Sequence, residues 1–105
     1  MLKIYFCFPY RGVGGVSLLF LRIAEFLVQK ELAECHIVDY VNGFMAKNQT
    51  NPGVILEVYD DKSDSVLIPP DAIAVFQSMT PWSIYPGLLI DKSAIIFFGI
   101  ATLSI

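Results

Sequence analysis

One turn concentrates most of the chemistry this sequence could offer. Pro9-Tyr10-Arg11-Gly12-Val13-Gly14-Gly15 follows the apolar run Leu2–Phe8 and precedes a long amphipathic stretch. Glycines between a buried strand and a helix let the backbone approach a ligand closely, and the first free N–H groups of the helix favour an anion. Gly12, Gly14 and Gly15 are therefore candidate contacts to a phosphate. The spacing Gly12-x-Gly14-Gly15 is not the G-x-G-x-x-G dinucleotide fingerprint, and no Walker lysine follows it. A tight βα turn also uses glycine with no ligand at all, so the pattern leaves both readings open.

A second candidate segment is Gln77-Ser78-Met79-Thr80-Pro81-Trp82. It leaves the C-terminal end of a buried strand, where open α/β sheets bind ligands. It holds the only tryptophan, flanked by hydroxyls and an amide. An apolar platform with a few polar groups suits a sugar, which makes Gln77, Ser78, Thr80 and Trp82 candidate ligand contacts. The plainer reading is that Trp82 packs over the sheet edge. Asp39, near the end of the second predicted strand, is placed to hold a ribose hydroxyl as in dinucleotide enzymes. Without the fingerprint, an exposed strand-end carboxylate is the better expectation.

The remaining polar residues suggest no catalytic centre. His36 is the only histidine and lies beside Ile37 and Val38. With no nearby acid or serine array it makes a poor base, and a structural or half-exposed role is expected. Neither Cys7 nor Cys35 has a metal-ligand partner at usable spacing, and both fall in predicted strands as small buried hydrophobes. Asp60, Asp61 and Asp64 read as a solvated turn. No catalytic residue, metal or cofactor is expected.

The elements that must position these residues follow from apolar patterning. Leu2–Phe8 is nearly continuous and apolar, as in a strand buried on both faces of a parallel sheet. Ser17 to about Leu32 reads as a helix: Arg22, Glu25 and Gln29 form a narrow wet stripe, and Leu18, Leu19, Leu21, Ile23, Phe26 and Leu27 are expected inside. Further strands are predicted at Cys35–Tyr40, Val54–Tyr59, Ser65–Ile68, Ala72–Gln77 and Ser93–Phe98. A short helix is predicted within Asn42–Gln49, and a helical or irregular piece over Ser83–Leu89. The alternation argues for a single α/β domain over residues 1–105, a Rossmann-like doubly wound parallel sheet with the first strand central.

Composition sharpens the picture. Hydrophobic residues make up 55% of the chain and charged residues 16%, against about a quarter in ordinary soluble domains. So little charge cannot cover a small globule, which points to an apolar face meant for a partner, another domain or a membrane surface. Ten acids against seven scattered bases give a net charge of −3, which argues against nucleic acid. The uncharged apolar runs Gly12–Leu21 and Ser93–Ile105 are both shorter than the roughly 18 residues a spanning helix needs. The cysteines are expected reduced in a cytoplasmic protein.

The opening LKIYFCFPYRGVGGVSLLFLRIAEFL resembles the first strand, glycine loop and first helix of retaining glycosyltransferases with two Rossmann-like domains, the GT-B group. The later PPDAIAVFQSMTPWSIYPGL resembles a strand and loop of the same N-terminal domain. The resemblance implies an acceptor-side domain, with Gly12, Gly14 and Gly15 near the donor phosphates. It implies as partners a sugar-nucleotide donor and a glycan or lipid-linked acceptor. The setting it implies is bacterial surface polysaccharide synthesis, such as lipopolysaccharide O-antigen, at the inner face of the membrane. The donor-binding residues of the second domain have no match here. With the apolar tail Gly99–Ile105, their absence suggests a truncated, frame-interrupted remnant that is inactive alone. The rival expectation is a non-catalytic module that pairs with a separate chain through its apolar surface.

Overall fold

The computed structural model describes residues 1–12, 14–77, 85–91 and 95–99. The elements run β1 (Leu2–Cys7), α1 (Gly15–Gln29), β2 (Ala33–Tyr40), α2 (Phe44–Asn48), β3 (Ile55–Tyr59), β4 (Val66–Ile68), β5 (Ala72–Gln77), β6 (Leu88–Ile90) and β7 (Ile95–Gly99). Five strands form one sheet in the order β3-β2-β1-β5-β7, and every neighbouring pair is parallel. The first strand is central, as its double-sided apolarity requires. The architecture is α/β and compatible with a Rossmann-like fold.

Strand alternation divides the core into two faces. On one, Phe6 of β1 and Cys35 and Ile37 of β2 pack against Phe20, Leu21 and Ala24 of α1 and Met45 of α2. On the other, Tyr5, Cys7, Val38, Ala72, Ala74 and Phe76 meet Ile68, Tyr85 and Leu88. This second face is covered, among the described residues, by a separate two-stranded parallel ribbon of β4 and β6 rather than by a helix. Gly87 makes that ribbon possible. Its φ is +80°, and a Cβ there would lie 2.5 Å from the Asp64 carbonyl oxygen, so only glycine fits.

The helix differs from its sequence-based expectation in two ways. Its buried stripe is Ser17, Phe20, Leu21 and Ala24, at i, i+3, i+4 and i+7, while Leu18 and Phe26 are exposed beside Arg22. A helix lying on one sheet face buries only the stripe that meets the sheet, so high apolar content does not place every apolar residue inside. It also ends at Gln29, earlier than expected. Glu31 adopts φ +57° and Leu32 N donates to Leu27 O at 2.9 Å, a Schellman-type stop. The piece expected to be helical or irregular over Ser83–Leu89 contributes instead to strand β6, with residues 83 and 84 outside the described region. No described helix is long and apolar enough to cross a membrane.

Candidate functional site

The connections after β1 and β5 lead to opposite sides of the sheet: α1 carries the chain to β2, whereas β5 is followed by β7 beyond it. Open α/β sheets form their ligand crevices where the order reverses in this way, at the C-terminal ends of the strands. Here a cleft of about 430 Å³ opens between Phe8, Pro9, Tyr10, Gly14, Gly15, Val16, Gln77 and Tyr85. Two segments more than 60 residues apart, singled out in the sequence on separate grounds, thus share one concavity.

Among the described residues the lining of the cleft is uncharged and strongly aromatic. Phe8 and Tyr10 stack with centroids 5.2 Å apart, and burial pushes the Tyr85 phenol far above its usual range, so that it stays neutral. At one wall α1 begins at the N-cap Gly14, which supplies no side-chain cap, and no acid follows in the first turn. The first intrahelical bond runs from Leu18 N to Gly14 O, leaving the N–H groups of Gly15, Val16 and Ser17 ahead of the ladder. The Ser17 hydroxyl is fully buried and has no hydrogen-bond partner among the described residues. It lies 3.9 Å from where a Cβ on Gly14 would stand, so it faces the helix start. Uncapped N–H groups and an orphan hydroxyl are an arrangement that suits an anion.

The three glycines have different roles. A Cβ on Gly12 would meet the Tyr10 ring at 2.8 Å, and Gly12 does not line the cleft. Gly14 has extended backbone, φ −153° and ψ 146°, and its Cβ would approach Tyr10 at 3.3 Å. At Gly15 nothing lies within 4 Å of that position. The turn therefore needs no left-handed glycine at 14 or 15. Gly12 and Gly14 make room for the Tyr10 ring, and Gly15 opens onto the cleft. Ser78, Thr80 and Trp82 lie outside the described residues.

Arg11, the only base in the loop, is directed away from the cleft. Its Nε donates to Val41 O and its Nη2 pairs with Asp61 Oδ1, each at 3.1 Å, and its guanidinium lies 4.6 Å from the Tyr40 ring centroid. The Asp60–Asp61 turn is therefore more than a solvated connection, since Asp61 anchors the glycine loop.

Asp39 is neither a ribose ligand nor exposed. It is completely buried; its Oδ1 accepts from Tyr10 N at 3.0 Å and Tyr40 N at 2.8 Å, and its Oδ2 from Ala46 N at 3.0 Å. Burial raises its carboxyl above the usual range, opposed by the N–H groups of Ala46, Tyr10, Tyr40 and Met45. The residue ties the glycine loop to the start of α2. The signal available in the sequence was Gly43 four residues on, which leaves space for a carboxylate to turn inward.

His36 does not line the cleft, and it has acids on both sides, contrary to expectation. Glu34 Oε2 stands 2.6 Å from Nε2 and Glu57 Oε1 stands 3.2 Å from Nδ1. Glu34 is two residues back on the same strand, a spacing that places both side chains on one sheet face. Among the described residues no cluster of His, Cys, Asp and Glu could hold a metal. No family model, curated protein or solved structure matches this chain.

Proposed function

We propose that this chain is the acceptor-side, Rossmann-like domain of a GT-B-type glycosyltransferase, working in the cytoplasm on a bacterial surface polysaccharide. The observation that carries the reading is the shared cleft of Gly14, Gly15 and Gln77 at the reversal of strand order. Its aromatic walls suit the face of a sugar, and the bare start of α1 suits a phosphate. No described lining residue bears a charge, and Arg11 is committed to Asp61. Departure of a nucleotide diphosphate needs preorganised positive charge, which none of the described lining residues supplies. The domain therefore contacts the donor while a second domain holds and activates it.

Titration of the 15N-labelled chain with uridine diphosphate, uridine monophosphate and inorganic phosphate tests this reading. Saturable shifts at Gly14, Gly15, Val16 and Gln77 are expected, with no turnover of a labelled sugar nucleotide by the chain alone. Unchanged spectra at millimolar nucleotide and phosphate, about the weakest affinity that carries meaning here, would remove the donor reading.

A second reading, a non-catalytic module that pairs with another chain, is favoured by one specific feature. Leu67 and Leu89 are register partners across the β4–β6 ribbon, and both are more than half exposed, at 57% and 51%. An outward apolar pair on a short ribbon suits a protein partner.

A further inference from the structure

We propose that Tyr10 determines what the cleft accepts: its ring carries the apolar face of a single sugar, whose phosphate ester sits at the start of α1 beside Ser17. The inference rests on reading the cleft as a ligand site. It names a glycosyl phosphate as the part of the ligand that this chain recognises.

The backbone beneath the ring is fixed from two sides. Tyr10 N donates to the buried Asp39 Oδ1 at 3.0 Å, and Tyr10 O accepts from Phe44 N at 2.7 Å. The ring stacks on Phe8 with centroids 5.2 Å apart, and Phe8 meets the buried Phe20 edge-on at 6.5 Å. An aromatic column thus runs from the core to the cleft wall, where Tyr10 remains 42% exposed. Loop glycines give the ring its place. A Cβ on Gly12 would stand 2.8 Å from its Cζ, and one on Gly14 would stand 3.3 Å from its Cε2. Two glycines whose pattern suggests a phosphate loop therefore seat an aromatic side chain. A rigid aromatic face at a concave wall suits the C–H face of a sugar.

The missing side chain of Gly14 links this ring to an anion. The point where its Cβ would stand is 3.3 Å from the Tyr10 ring and 3.9 Å from Ser17 Oγ. That hydroxyl is buried and has no hydrogen-bond partner among the described residues, so a donor is left unused beside the gap. Rotation about χ1 moves it among staggered positions at the same helix start. The N–H groups of Gly15, Val16 and Ser17 precede the helix ladder and favour an anion. One short stretch of loop and helix thus presents an aromatic face, uncapped N–H groups and an orphan hydroxyl. The cleft volume of about 430 Å³ is near the small end of ligand pockets, roughly 300–1,000 Å³, and suits one sugar with its phosphate.

The full 15N-labelled chain is titrated with α-D-glucose 1-phosphate as a simple glycosyl phosphate, and separately with methyl α-D-glucoside, inorganic phosphate and uridine diphosphate. Saturable shifts at the amides of Tyr10, Gly14, Gly15 and Ser17 are expected with glucose 1-phosphate. It should bind about tenfold more tightly than either fragment, the worth of one added contact. Tyr10→Ala should weaken it about tenfold and leave inorganic phosphate unchanged, whereas Tyr10→Phe should stay within about twofold of the parent. Ser17→Ala should weaken glucose 1-phosphate and phosphate alike, by about tenfold, with Tm unchanged or raised because an unsatisfied buried hydroxyl is gone. If Tyr10→Ala does not fold, Tyr10→Leu, apolar but without an aromatic face, takes its place. Absence of saturable shifts with glucose 1-phosphate overturns the proposal, as does binding that either Tyr10→Ala or Ser17→Ala leaves intact, even where uridine diphosphate binds. Glucose 1-phosphate bound through Tyr10 and Ser17 with no binding of uridine diphosphate upholds it and removes the nucleotide-donor reading instead.

Discussion

The Asp39 carboxylate occupies the space that a side chain on Gly43 would need. A Cβ built on Gly43 falls directly onto Asp39 Oδ1, although Gly43 has an ordinary φ of −69°. The glycine is required by close approach and not by backbone conformation. Because the pocket is empty of any side chain at 43, Asp39 can turn inward and accept N–H groups from Tyr10, Tyr40 and Ala46. One buried acid thereby joins β2, the start of α2 and the loop that leads to the cleft. Gly43 N donates to Tyr40 O at 2.8 Å and Phe44 N to Tyr10 O at 2.7 Å, which closes the same junction with backbone bonds.

This junction predicts strong coupling between the two residues. Gly43→Ala should destabilise by about 3 kcal/mol, the upper range for forcing atoms into a packed site. Asp39→Ala should cost about 2–4 kcal/mol, because several buried N–H groups lose their acceptor. In the Asp39→Ala background, Gly43→Ala should cost at least about 1 kcal/mol less than in the parent. Urea denaturation of the four proteins checks this; strictly additive costs would show that the steric relationship has no energetic consequence.

Gly15 gives the opposite expectation. Its Cβ would enter open space at the first helical position, so Gly15→Ala should leave stability unchanged or raise it by about 0.5 kcal/mol. The added methyl would project into the cleft beside the helix start. Gly15→Val should be tolerated as a fold while weakening any nucleotide or phosphate binding. A large loss of stability in either variant would show that Gly15 serves the turn and not the cleft.

The sequence made the sheet legible because parallel strands covered on both faces leave nearly continuous apolar runs, as at Ile4–Cys7 and Ala72–Phe76. That a glycine turn and the end of the Ala72–Gln77 strand each lie where a crevice forms was legible on separate grounds, but their meeting in one cleft was not. The ribbon of β4 and β6 was not. β6 has three residues, and its pairing partner lies across β5, so no local period announces it. Nor were the roles of Asp39, Asp61 and His36, each of which depends on a residue from another element. Short polar residues at strand ends look alike in sequence whether they face water, backbone N–H groups or a cation.

The two cysteines carry a chemical prediction. Burial raises the Cys35 thiol to about 11 and pushes Cys7 higher still, and both are inaccessible. The nucleophilic thiolate is therefore scarce at neutral pH. Labelling by a maleimide should be slow for both in the native chain and should accelerate by orders of magnitude on addition of denaturant. Raising the pH should favour Cys35 first, since its thiol ionises at the lower pH. Rapid native labelling of Cys7 would contradict its complete burial between the central strand and the ribbon face.

The exposed apolar pair on the ribbon predicts how the chain associates. Leu67 and Leu89 stand side by side on the outward face of β4 and β6, and a net charge of −3 offers little repulsion between copies. Both side chains are more than half exposed and neither belongs to the core cluster, whose members Ile68 and Leu88 remain to cover the sheet. Leu67→Glu with Leu89→Lys should preserve the ribbon, because opposite charges on facing positions attract across a strand pair. Sedimentation at tens of micromolar, where apolar patches commonly drive association, should show the parent self-associating and the double variant shifted toward monomer, with the thermal melt of the two within about 0.5 kcal/mol of each other. A parent that sediments as a clean monomer would mean that the ribbon face is no association surface. A double variant that loses its cooperative melt would mean that Leu67 and Leu89 stabilise the fold itself.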